Sequence, residues 1–185
     1  MKTVLLTGPK HAGKTSAGRA LAVLVSGSFV DLDEHICARA GKSPRVLYTE
    51  GPGIFRKAEA AALADLLNRE NGTSGAPAVI AAGGGIIDNP DALALCKKAG
   101  ALAVYLEVSA ETAWERIRRA AEREGLPPFL QTPNPQETHR VLHERRAAAY
   151  RAWACFTVPG EGKSPEEIAG EIYGVLQGIL MTAQS

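Results

Sequence analysis

Nowhere in the 185 residues is there a run approaching the roughly 20 consecutive apolar positions that a membrane-crossing helix needs. The apolar opening, MKTVLLTGPKHAGK, breaks at Gly8-Pro9, too early for the core of a signal peptide. Charge of one sign is missing too: 21 Lys and Arg against 20 Asp and Glu leave a net +1, with both signs interspersed. That excludes a broad basic face for nucleic acid. Cysteine is scarce. Cys37, Cys96 and Cys155 are far apart, odd in number and without CxxC or Cys/His spacing, so neither a disulfide framework nor a zinc site is expected. All three read as small buried hydrophobes in a reducing compartment. There are no repeats and no low-complexity tails. These absences leave a soluble, cytoplasmic, single-domain protein over 1–185, with no nucleic-acid or membrane partner.

Short apolar runs alternate with longer helical patterns. Residues 3–7, 28–32, 78–82, 102–108 and 155–158 read as strands, without the period-2 polarity of a half-exposed sheet, so burial on both faces is expected. A helix follows Gly13 and another covers Phe55 to Asn68. Asn89, Pro90 and Gly100 mark a cap, a first turn and a stop, and a further helix starts at Ser109. Ser164 and Glu167 have the spacing of a capping box ahead of a stripe of Ile168, Ile172, Val175, Leu176 and Ile179. Strand and helix in alternation predict a doubly wound α/β sheet with ligands at the carboxyl ends of the strands. Two stretches fall outside this rhythm. Residues 34–60 look helical without a strand, and 120–138, with four prolines, reads as a loop or flap.

After the first strand, Gly8-Pro9-Lys10-His11-Ala12-Gly13-Lys14-Thr15 has the spacing G-x4-G-K-[ST] of a phosphate loop. Its N–H groups and the helix that follows surround a phosphate, the lysine reaches the β- and γ-phosphates, and the threonine hydroxyl serves Mg²⁺. At the end of the second strand, FVDLDEHI aims Asp31 and Asp33 into the same space if the strand continues through both. One then holds Mg²⁺ through water and the other accepts from a substrate hydroxyl; alternatively Asp33 is the N-cap of the next helix. Arg56 and Glu59 lie on one helical face, where they also fit a surface ion pair. Gly83, Gly84 and Gly85 strip the third strand's end of side chains. His139, His143, Arg146 and Tyr150 share a helical face, which a solvated surface would also explain; the HxxxH pair lacks a third metal ligand.

Taken in order, GPKHAGKTSAGRALA, FVDLDEHI, EGPGIFRKAEA, VIAAGGGI and RRAAAYRAWA make the chain resemble the shikimate kinases over most of its length. The resemblance implies a P-loop three-layer α/β/α fold, nucleoside-monophosphate-kinase-like, with a five-stranded parallel sheet. It places a substrate-binding region at 34–60 and a lid at 120–138. It implies ATP-dependent phosphorylation of the 3-hydroxyl of shikimate, in aromatic amino acid biosynthesis, by a monomer that uses ATP and Mg²⁺. By the same resemblance Gly8, Lys10, His11, Ala12, Gly13, Lys14, Thr15 and Ser16 bind ATP; adenine contacts are expected around Arg116 to Arg119, with Arg119 the candidate, and at the loop PGEGK after the last strand. Lys14 and Asp33 are catalytic, and Thr15 and Asp31 serve the metal. Asp33, Arg56, Gly84, Gly85 and Arg146 bind the acceptor, with Glu59 orienting Arg56. The chain departs from the pattern where GLPPFL puts Pro127 in place of the lid arginine, and at Ala82 and Pro52. Arg123, Arg140 and the pair Lys10-His11 are the cations available to substitute. A kinase for another small hydroxyl substrate, and a nucleotide-binding sensor without kinase activity, are the alternatives.

Overall fold

The computed structural model describes residues 3–70 and 78–182. Five parallel strands, β1 (Val4–Thr7), β2 (Ser28–Asp31), β3 (Ala78–Ala81), β4 (Leu102–Glu107) and β5 (Phe156–Pro159), form one sheet in the order β2-β3-β1-β4-β5. The helices are α1 (Lys14–Leu24), α2 (Leu32–Ala40), α3 (Pro44–Glu50), α4 (Pro52–Glu70), α5 (Pro90–Ala99), α6 (Ala110–Glu124), α7 (Pro135–Trp153) and α8 (Pro165–Thr182). None is long and apolar enough to cross a membrane.

Alternation along the strands divides the core in two. Val4 and Leu6 of β1, Val79 of β3, and Val104 and Leu106 of β4 face α1 and α8. Leu5, Ile80 and Tyr105, one residue out of step, face the other layer with Leu32, Ile36, Leu63, Ala92 and Tyr150. Both faces are covered, so the strands have no polar side to display. That expectation fails at the edges: β2 is exposed to half-buried, and β5 buries only Val158.

Local signals place most helix ends. The Asn89 side chain accepts from Ala92 N, with Pro90 in the first turn and left-handed Gly100 closing α5. Ser109 caps α6. The capping box at α8 is reciprocal: Glu167 N donates to Ser164 Oγ at 3.2 Å, and Ser164 N to Glu167 Oε2 at 2.7 Å. Of its stripe, Ile168, Ile172 and Leu176 are buried, but Val175 is exposed. Cys96 is buried as expected, whereas Cys37 and Cys155 are exposed free thiols.

The stretch 120–138 is more regular than its prolines suggest. Good helix formers carry α6 through Glu124. Pro128 opens a 3₁₀ turn, Pro128–Leu130, and Pro135 occupies the first turn of α7 behind the Asn134 cap. Only 125–134 departs from helix, and it does so over the carboxyl edge of the sheet.

Candidate active site

The phosphate loop is built where β1 stops. Gly8 turns at φ 141°, and a Cβ there would lie 2.4 Å from the Leu106 carbonyl oxygen, so only glycine fits beside β4. Lys14 opens α1 and folds back over the loop, donating to the carbonyls of Gly8 at 3.0 Å and Pro9 at 2.6 Å. Burial pushes this lysine down to about 8, while the Asp33 and Asp31 carboxylates favour its charged form. Ser16 is exposed in the first turn of α1. His11 holds a left-handed φ of 60°, and its carbonyl accepts from Arg116 Nη1 at 2.9 Å. Burial, reinforced by Lys10, holds the His11 imidazole below its ordinary value.

Asp31 closes β2 and ties it to this loop. Its Oδ2 accepts from Thr15 Oγ1 at 2.8 Å, and its Oδ1 from the amides of Asp33 and Glu34. Asp31, not Asp33, is therefore the N-cap of α2. The strand ends before Asp33, so the two carboxylates do not share a strand face. Asp33 instead projects from the first turn of α2 into the cavity. It keeps solvent access, yet protein atoms crowd the carboxyl. That desolvation, then Asp31, raises its pKa, with Lys14 and Lys10 opposing.

Glycines at the end of β3 bring the third wall close. A Cβ on Gly84 would sit 2.8 Å from Lys10 N, so the β3 turn lies directly against the phosphate loop. Neither the Gly84 nor the Gly85 N–H donates a hydrogen bond among the described residues. Beyond them Arg146 reaches in from α7. Its Nε and Nη2 donate to Asp88 Oδ2 at 2.9 and 2.7 Å, and its Nη1 to the Gly84 carbonyl at 3.1 Å. A guanidinium carries five N–H groups, so two remain for a ligand.

Asp33, Lys10, Gly83, Gly84, Gly85 and Arg146 thus line one cavity of about 320 Å³. Arg56 does not line it. It is exposed and borders an adjoining opening that shares Phe55, Gly85, Phe129 and Arg146 with the main cavity. Glu59 is fully buried and is no surface partner of Arg56. Its Oε2 accepts from Asn89 Nδ2 at 2.8 Å, and its Oε1 has no hydrogen-bond partner among the described residues. Burial raises Glu59 to about 7, the Asn89 bond opposing and Asp33 adding to the shift. Asn89 Nδ2 also donates to the Arg56 carbonyl, so this one side chain joins α4 to α5.

The α7 stripe is largely buried rather than solvated: His139 and Tyr150 are 5% and 1% exposed. Burial, then His143, pushes His139 down to about 4, and burial lowers His143 as well. Among the candidate cations, Arg140 is held between Glu137 and Glu144 on the surface, and Arg123 is exposed in the last turn of α6. Lys10 alone of those four residues lines the cavity. Arg119 is exposed; Arg116, one turn earlier, is the α6 arginine that touches the phosphate loop.

Sequence reasoning missed Asp88, which holds Arg146, and the aromatic wall. Tyr48 meets Phe55 and Phe129 edge-on, with centroids 6.1 and 6.2 Å apart. Tyr48, Phe55 and Phe129 come from separate segments, so no local pattern marks them as one wall.

A family model described as shikimate kinase matches residues 10–177. A shikimate kinase from Aromatoleum aromaticum is 35% identical over 175 residues, covering 94% of each chain. A shikimate kinase from Acinetobacter baumannii, solved in complex with shikimate, superposes with a TM-score of 0.82 at 30% identity, covering 96% of this chain and 94% of its own. That from Aquifex aeolicus superposes at 0.76 and 31%, covering 96% and 98%.

Proposed function

Because the chain belongs to the shikimate kinase family, we propose that its cavity holds shikimate against the phosphate loop and that the γ-phosphoryl of ATP passes to the 3-hydroxyl, giving shikimate 3-phosphate and ADP. One observation carries this reading. The Thr15–Asp31 bond joins the loop to the end of β2, and from there Asp33 faces Arg146 across the bare turn of Gly83 to Gly85. Pro9 and Lys10 of the phosphate loop therefore line the same cavity as Asp33 and Arg146.

The roles follow from the chemistry. Backbone N–H groups from Gly8 to Thr15 and the start of α1 receive the phosphates. Lys14 exchanges the Gly8 and Pro9 carbonyls for phosphate oxygens, and the new negative charge reverses its depressed pKa. Thr15 Oγ1 and the Asp31 carboxylate are hard oxygen donors of the kind Mg²⁺ accepts, directly or through water. No group of three or more His, Cys, Asp or Glu among the described residues forms a metal cage, which fits an ion that arrives with the nucleotide. When bound, Mg²⁺ neutralises charge on the phosphate oxygens. Asp33 accepts from the attacked hydroxyl, and its raised pKa makes it a better proton acceptor than an ordinary aspartate. The free N–H groups of Arg146 take the acid's carboxylate, with the Gly84 and Gly85 amides beside them. Arg56 guards the rim. Lys10 supplies the cation that Pro127 does not. The protein acts as a cytoplasmic monomer with one domain, and residues 125–134 serve as its lid.

The test is ADP release from MgATP with and without shikimate, in the unaltered protein and in Arg146→Ala. Shikimate-stimulated release that falls about 10- to 100-fold in kcat/KM in the variant, the loss of one or two charged hydrogen bonds, supports the reading. Nucleotide binding with no stimulation by shikimate would overturn it.

A further inference from the structure

A second arginine borders the cavity from the opposite side, and no role above uses it. Arg45 lies in the first turn of α3, half-buried. Its Nη1 donates to the carbonyls of Glu124 at 2.8 Å and Gly125 at 3.3 Å, and its Nη2 to that of Leu126 at 2.7 Å. These three consecutive acceptors end α6 and begin the 125–134 segment. A helix leaves its last carbonyls without intrahelical partners, and a planar guanidinium fork spans several of them where an ammonium would reach one. Tyr48, three residues on and so on the same face of α3, sets its ring edge-on to Phe129 at the middle of that segment. Phe129 in turn lies 5.6 Å from the Arg146 guanidinium. Arg45, Tyr48, Pro127, Phe129 and Arg146 all line the same cavity.

We propose that Arg45 is a positioning residue that latches residues 125–134 shut over the acid-binding half of the cavity, with Tyr48 as its apolar counterpart. The catalytic part of this proposal rests on the shikimate kinase reading above. In that setting the latch keeps Phe129 against Arg146, preserves the walls around the bound acid and limits the access of water to the γ-phosphoryl group. The grip comes from α3, so it acts before nucleotide arrives. A helix cap alone would stabilise α6 without touching acceptor kinetics, and that difference makes the proposal testable.

The experiment compares Arg45→Ala and Arg45→Lys with the unaltered protein by amide hydrogen exchange and steady-state kinetics. The amides of Gly125, Leu130 and Gln131 donate to Ala121, Pro127 and Pro128, so the segment has protection to lose. In Arg45→Ala, exchange over 125–131 is expected to speed about tenfold or more, the equivalent of one charged hydrogen bond, while α5 stays unchanged. The kcat/KM for shikimate falls by a similar factor, the KM for ATP moves by less than about threefold, and Arg45→Lys restores part of both losses. Unchanged exchange over 125–131 overturns the latch. So does equal acceleration in α5, which would make Arg45 a general stabiliser. Local acceleration with unchanged acceptor kinetics reduces it to a cap and overturns the positioning role. If the unaltered protein shows no shikimate-stimulated ADP release, the functional reading and the catalytic half of the proposal both fail, and exchange still decides whether the latch exists.

Discussion

The phosphate loop and the cavity beside it are made differently. The phosphate end is backbone: the loop from Gly8, the start of α1, and one side-chain tie from Thr15 to Asp31. The proposed acceptor end is side chains from distant segments: Asp33 on α2, Tyr48 on α3, Phe129 in the 125–134 segment, Arg146 on α7 and Asp88 behind it. Backbone geometry depends on a few glycines and a strand-to-helix junction, so it survives wide change in sequence around it. An assembly of side chains shifts when any neighbour does, and the departures at Pro52, Ala82 and Pro127 all fall outside the phosphate loop. On the proposed roles, the difference makes nucleotide binding and acceptor choice separable in this fold.

Asp33→Asn should test that separation most sharply. With no carboxylate at the attacked hydroxyl, kcat is expected to fall by about 10²–10⁴, while ADP affinity, measured by calorimetry, stays within about threefold. A matching loss of ADP affinity would show that the two ends are one unit. Lys10→Ala sharpens the comparison, because Lys10 stands where the Gly84 turn meets the phosphate loop. Removing its charge should lower kcat by about 10²–10³ and leave the KM for shikimate little altered. A raised KM with unchanged kcat would instead put Lys10 on the acceptor side.

The smallest effect concerns stability behind the acceptor end. Glu59 has an ordinary value of 4.5 and is raised to about 7 in the fold. Between those values the folded protein binds more protons than the unfolded chain, so this group's contribution is complete below about 4.5 and is lost as pH climbs towards 7. Glu59→Gln removes the titration. Its stability relative to the unaltered protein should therefore rise across that window, by at most about 3 kcal/mol, read from urea unfolding at pH 4.5, 6 and 7.5. A pH-independent difference would mean that the Glu59 carboxyl titrates alike in the folded and unfolded states.

Much of the fold was legible because its signals are local. Asn89 and Pro90, Ser109, and Ser164 with Glu167 mark helix starts through contacts within a turn. The prolines of 120–138 misled because proline breaks a helix interior yet suits a first turn, and Pro135 sits in one. Asp31 and Asp33 misled because a strand's end is not written in its apolar run: the start of α2 at Leu32 turned a strand pair into a cap and a cavity group. At Glu59 the spacing to Arg56 was right for an ion pair, but α4 packs that carboxylate inward against Asn89.

By itself the sequence determined the alternation of strand and helix, the phosphate loop and the family to which the chain belongs, since each rests on neighbours in the chain or on an ordered series of short motifs. Only the tertiary structure decided that Asp88 holds Arg146, that Glu59 is buried, that Arg56 stands at the rim, and that Arg45 grips residues about 80 positions away. Those outcomes depend on which helix faces meet across the carboxyl edge of the sheet. Packing and desolvation set them between segments whose separation along the chain carries no local signal.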